Sequence, residues 1–173
     1  MNAASAAGDY FFHFFDGAIT SNIFRARLFA KHDATSGNYA FAIQVGSGTT
    51  TTAWTGYNYV YGTTYLVVVK YEMVAGTTND IVSLFIDPTI SMTEPLPLLT
   101  TVDATQTDAS NLDAIGLRQG GTTSGAQPTV DGIRVGSDWG DVVAGMAVDP
   151  TGACCDTATG ACTITTQANC GFT

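Results

Sequence analysis

Residues 23–31 alternate between two kinds of side chain. Phe24, Ala26, Leu28 and Ala30 fall on one face of an extended segment, and Arg25, Arg27 and Lys31 on the other. A period of two fits a half-buried β-strand and no helix. The same signal recurs along the chain. Residues 10–15 form a dense aromatic run stopped by Asp16-Gly17, and residues 39–45 alternate large against small. Residues 57–61 read as a short aromatic strand, and residues 65–74 as the strongest strand of all. A Gly/Asn/Asp loop at 75–80 joins the latter to residues 81–87, the pattern of a β-hairpin.

Pro88, Pro95 and Pro97 then end the regular structure, and residues 100–113 read as a polar loop. Residues 114–118 and 129–135 are two further strand candidates, separated by a Gly/Ser-rich loop at 120–127. No segment carries a convincing amphipathic helix. Strand number and turn spacing predict an all-β, antiparallel sandwich or barrel. The composition changes near Asp149-Pro150, where core formers give way to Thr, Ala, Gly and Cys. This divides the chain into a β-domain over 1–150 and a tail over 151–173.

Composition narrows the function classes. Hydrophobic residues make up 45 %, enough for a core, while charged residues are only 12 %. A surface of Thr, Ser, Gly and Asn is typical of secreted adhesive or lectin-like modules. The net charge is −9 with only six Lys and Arg, so no basic stripe exists to displace phosphate counterions, and nucleic acid is a poor partner. No apolar run approaches the ~20 residues that span a bilayer. The first five residues lack a basic and an apolar region, so they are no signal peptide, and a leader is expected upstream.

Cys154, Cys155, Cys162 and Cys170 all lie in the tail. Clustered cysteines in a charge-poor chain point to disulfides and an oxidising compartment, hence a secreted or cell-surface location. Zinc is the rival reading, weakened by the adjacency of Cys154 and Cys155 and by the absence of a nearby His. Four cysteines allow three pairings, and the spacing does not choose among them.

The order of the strand segments resembles the C-terminal part of LamG-like, concanavalin A-like jelly-roll domains of secreted bacterial proteins. The resemblance is carried by FRARLFAK (24–31), TYLVVVKY (64–71), NDIVSLFIDP (79–88), IGLRQG (115–120) and VDGIRVGSDW (130–139), and it spans 10–143. The tail is similar to a short Cys motif that follows such domains. The resemblance implies a jelly-roll β-sandwich, and domains of this kind carry further strands before the equivalent of Tyr10. A sandwich lacking its N-terminal strands exposes unpaired backbone groups and an apolar groove. A strand from a partner can fill that groove, and head-to-tail filling between copies gives an open filament.

Candidate sites follow from residue chemistry. A glycanase on such a scaffold needs two facing carboxylates, and the only glutamates, Glu72 and Glu94, are far apart in sequence. His13 sits in an aromatic run and His32 ends a strand beside Asp33, so no Ser-His-Asp arrangement can be argued, and the chain reads as non-catalytic. Trp54, Tyr57, Tyr59 and Tyr61 form a candidate sugar-binding platform, with the core as the rival location for the same face. Asn79, Asp80 and Asp87 bracket one hairpin as a candidate structural Ca²⁺ site, and Asp103, Asp108 and Asp113 dot the next loop. Turn capping is the simpler reading of all six. Asp131 and Arg134 read as an ion pair or a turn hydrogen bond on a half-buried strand, with Arg118 as the alternative partner. Two functions are expected: an extracellular structural or adhesive subunit that builds homo-oligomers or filaments, or a carbohydrate-binding, lectin-like module of a larger secreted protein.

Overall fold

The computed structural model describes residues 1–20, 22–47, 51–121 and 125–146, and the backbone of 151–155 and 162–166. The protein is all-β and antiparallel, with almost no helix. One compact unit comprises Met1–Pro88 with Leu96–Asp131, and a second comprises Thr89–Pro95 with Gly132–Thr173. The division therefore falls at residues 131/132, ahead of the composition change at 149–150.

The first unit holds two sheets in a sandwich-like arrangement. The larger has five strands: β1 (Asp9–Phe15), β2 (Phe24–His32), β3 (Tyr39–Gln44), β4 (Ala53–Trp54) and β8 (Ala114–Leu117), in the order β4-β3-β2-β1-β8. The smaller has three: β5 (Val67–Glu72), β6 (Ile81–Ile86) and β7 (Leu99–Val102), in the order β5-β6-β7. The core forms between them, where Leu28, Ala30, Phe41 and Ile43 of the first sheet meet Val82 and Leu84 of the second. Val67, Val69 and Tyr71 add the inward row of β5. Each of these sets follows the two-residue alternation, which turns one row of side chains to the same face.

The two sheets differ in width. β5 packs across β2, β6 across β3, and β7 across β3 and β4. β1 and β8 therefore continue past the β5 edge. Their inward row consists of Phe12 and Phe14 on β1, paired with Leu117 and Ile115 on β8. Leu117 remains 56 % exposed.

The aromatic run in β1 is sorted by two offsetting irregularities in its ladder with β2. Tyr10 pairs with Phe29 but Phe12 with Leu28, so β1 has an extra residue at Phe11. Phe14 then pairs with Arg25, so β2 has an extra residue between Arg25 and Leu28. There Ala26 adopts φ +44°, and its N–H donates to the Val45 carbonyl at 2.9 Å. A bulge breaks the alternation. Phe11 and Phe12 both reach the core, while Tyr10, His13 and Phe15 turn to the outer face.

Several elements depart from the sequence pattern. Residues 57–61 form no strand; Tyr59 alone bridges to Tyr39, between turns that carry Gly56 and Gly62. Residues 129–135 form no strand either, for they follow Pro128 and turn through Gly132 at φ +66°. Conversely, β7 lies in the segment read as a polar loop. Its two central residues, Thr100 and Thr101, carry little hydrophobic signal of their own and pair with Ser83 and Val82, between the Leu99–Leu84 and Val102–Ile81 pairs.

In the second unit a short helix, α1 (Trp139–Val143), is capped by Asp138, which accepts from the Asp141 N–H at 2.9 Å. Trp139 is buried, and its indole N–H donates to the Ser91 carbonyl at 2.8 Å. β9 (Thr151–Cys155) and β10 (Cys162–Thr166) form an antiparallel pair that sets Cys155 opposite Cys162. The cysteine side chains, and with them any disulfide, lie outside the described residues.

Leu84 is fully buried, so Leu84→Ala should cost about 2–5 kcal/mol in urea unfolding. Leu96→Ala, at a side chain 94 % exposed, should change stability by no more than about 0.5 kcal/mol.

Candidate functional site

The outer face of the five-stranded sheet gathers aromatic rings and cations. Lys31 Nζ lies 4.1 Å from the Trp54 ring centroid and 5.3 Å from that of Tyr57. Next along the face, Phe29 meets Trp54 at 6.2 Å, and the Arg27 guanidinium stands over Phe29 and Tyr10 at 5.4 and 5.0 Å. Arg118 completes the row 4.2 Å from the Tyr10 ring. The cation-to-ring distances all lie within the ~6 Å reach of a cation–π contact. Three of the chain's six basic residues thus share one face of an acidic protein.

These cations differ in how they are held. Arg118 donates to Asp9 Oδ1 at 2.7 Å, and Arg27 donates to the Gly46 carbonyl at 3.0 Å and to Gln44 Oε1. Lys31 sits between two rings. Small residues beneath, Ala40 and Ala42, let the long side chains lie flat, and both are fully buried.

The four residues of the candidate sugar platform are divided. Tyr59 is buried in the core, and Tyr61 packs against it with its hydroxyl 3.1 Å from His32 Nδ1. Trp54 and Tyr57 alone flank Lys31 on the outer face. An aromatic alternation fixes which residues share a face, and the tertiary structure decides which face is solvated.

The carboxylate sets are also redistributed. Asp80 and Asp87 lie beyond opposite ends of β6. Asp80 is buried and accepts from the Tyr71 hydroxyl at 2.6 Å, the Val74 N–H at 2.8 Å and the Ala109 N–H at 2.9 Å. Burial, followed by the hydrogen bond to Asp80, holds the Tyr71 hydroxyl well above the ordinary tyrosine range. Asn79 donates through its side-chain amide to the Ala75 carbonyl, and Asp87 accepts from the Leu66 N–H at 2.7 Å. Asp103 and Asp113 are held by neighbours within two residues. Asp108 reaches across to the N–H groups of Asn79 and Asp80 at 2.7 and 3.0 Å. Among the described residues, no three His, Cys, Asp or Glu side chains are grouped to hold a metal ion.

Two ion pairs missed in the sequence organise the β1 strand. Asp16 and Arg25, both buried, meet at 2.9 Å, and Asp16 also accepts from Ser110. Arg118 pairs with Asp9, and Arg134 donates to the Val142 and Ala144 carbonyls, which corrects the expected pairing of either arginine with Asp131. His13 is buried among Tyr10, Phe15 and Phe24, and neither of its ring nitrogens has a hydrogen-bond partner among the described residues. An added Cβ at Gly116 would stand 2.6 Å from His13 Nε2, so a glycine is required opposite it.

The other notable feature is the outer edge of β5. Leu66 accepts from the Asp87 N–H at 2.8 Å, so by antiparallel alternation Val68, Lys70 and Glu72 address β6. Val67, Val69 and Tyr71 then aim their backbone N–H and C=O groups outward, where no strand pairs with them among the described residues.

No family model, curated protein or solved structure matches this chain. No helix among the described residues is long and apolar enough to cross a membrane.

Burial pushes the Asp16 carboxyl up, but hydrogen bonds from Arg25 and Ser110 with the Arg25 charge outweigh it and leave it below its ordinary 3.8. Its stabilisation is present above pH 3.8 and is lost as pH falls through the lower folded value. Burial first, and then the charges of Arg118 and Arg27, hold His13 below its ordinary 6.5. The unfolded chain takes up this proton first, so stability should begin to fall as pH drops below 6.5. Urea unfolding across pH should show both steps, and His13→Phe should remove the upper one. At neutral pH, Arg25→Ala should cost about 3–5 kcal/mol by stranding Asp16.

Proposed function

We propose that this protein is a non-catalytic extracellular structural subunit that assembles with copies of itself by β-strand complementation. The observation that carries the reading is the mismatch in sheet width. The β5 edge carries outward backbone groups, and the Phe12, Phe14, Ile115 and Leu117 row continues beyond it on the opposing sheet. An incoming strand would pair with β5 through its backbone and set its inward side chains on that row. Backbone pairing gives affinity and the apolar row gives register. A subunit that offers both an acceptor edge and a donor segment joins head to tail and grows without closing. The low charge of the chain and its cysteine tail support an extracellular setting. The jelly-roll, LamG-like description of the β-domain and the disulfide-held tail belong to this same proposal.

One observation favours a second reading. Lys31 between Trp54 and Tyr57 offers ring faces for stacking a sugar and a cation for its carboxylate or sulfate. This would make the outer face of the larger sheet a site for acidic glycans.

Sedimentation of the full chain over a hundredfold concentration range separates the two. Under the assembly reading the mean mass rises with concentration, and negative-stain images show filaments. Dispersed monomers at every concentration, with acidic-glycan binding weakened at least tenfold by Trp54→Ala, would reject assembly in favour of the second reading.

A further inference from the structure

Residues 129–138 are exposed without interruption, and they include Val130, Ile133 and Val135 at 41, 50 and 64 % exposure. Their sequence is that of a strand, yet no backbone–backbone hydrogen bond ties residues 129–136 to any described neighbour. Backbone donors and acceptors left in a row with apolar side chains are the features of a strand without a sheet. The segment is nonetheless positioned. Asn2 donates to Thr129 Oγ1 at 3.3 Å, and Arg134 reaches the carbonyls that end α1.

We propose that residues 129–135 are the donor strand, seated along the β5 edge of a second copy; this rests on the complementation reading above. Length matches once the Gly132 turn straightens, a change its lack of a Cβ permits, since seven extended residues span about 23 Å and the six of β5 about 20 Å. Side-chain placement matches as well. Beyond the Gly132 turn, Ile133 and Val135 share one face and Arg134 takes the other. Turned inward, Ile133 and Val135 join the row of Val67, Val69 and Tyr71 and cover Phe12 and Phe14. Of the edge strands in the two sheets of the first unit, β4, β7 and β8 have two, four and four residues, so β5 with six comes nearest to the length of the segment.

Two full-chain variants test the assignment. Ile133→Asp with Val135→Asp changes only exposed side chains, so thermal unfolding should stay that of the parent while the donor is lost. Val69→Pro removes an outward N–H on an edge strand, where proline is tolerated, and leaves the donor intact. By sedimentation, the parent chain should assemble, and the Asp variant should stay monomeric at concentrations at least tenfold higher. Mixing the two variants should give a finite 1:1 dimer from chains that are monomeric alone. If the parent assembles and the Asp variant does so at the same concentration, the donor assignment is overturned while complementation stands. A parent that never assembles overturns both. Should Val69→Pro fail to fold, the comparison of parent and Asp variant decides by itself.

Discussion

A sheet of five strands facing a sheet of three cannot have all of its inner face covered by its partner. Everything distinctive about this molecule follows from that geometry. The hydrophobic effect drives the two inner faces together in proportion to the area they share. That area is centred on β2 and β3, where Leu28, Ala30, Phe41 and Ile43 meet Val82 and Leu84. Toward its margin, β1 and β8 carry an apolar row in which Phe12 and Phe14 pack against the core and Leu117 stays exposed, and β5 carries a row of outward backbone groups. An apolar surface beside unpaired backbone is the arrangement to which another strand adds most readily.

The larger sheet manages its other face differently. Its outer surface is closed over by long side chains of its own, rings beside cations, laid across Ala40 and Ala42. Cation–π contacts are modest individually, on the order of 0.5–1 kcal/mol when exposed. Their geometric effect is larger, since they leave rings and charges at fixed spacing on a protein whose net charge is −9. The bulges in the β1–β2 ladder make this surface possible. Without the extra residue at Phe11, the alternation of β1 would continue unbroken, and Tyr10 could not share a face with His13 and Phe15.

Legibility in the sequence varied with the kind of interaction. The five longest strands were readable because β2 and β3 carry a local alternation that no helix tolerates and β1, β5 and β6 are short apolar or aromatic runs bounded by turn residues, and the hairpin of β5 and β6 because a short turn-rich loop joins them. The β7 strand was not, since Thr100 and Thr101 gain their place from pairing with Ser83 and Val82 and not from hydrophobicity. Residues 57–61 and 129–135 erred the other way, with strand-like side chains but backbone pairing limited to the single Tyr59–Tyr39 bridge in the first and none among the described residues in the second. Of the candidate sites, Trp54 and Tyr57 meet on the surface, whereas Tyr59 and Tyr61 belong to the core. The Asp16–Arg25 pair joins one strand end to another across a turn, a contact that no spacing rule identifies.

The sequence by itself determined the class of structure. Period-two side chains commit each segment to extended backbone, and a charge-poor, Thr- and Gly-rich surface sets the solvent character, because both are local properties of the chain. Tertiary structure alone decided which sheet each strand joined, which face of each strand was buried, and which edge was left open. Those outcomes depend on partners far apart in sequence, and a strand has no fixed identity until its backbone hydrogen bonds find, or fail to find, another strand.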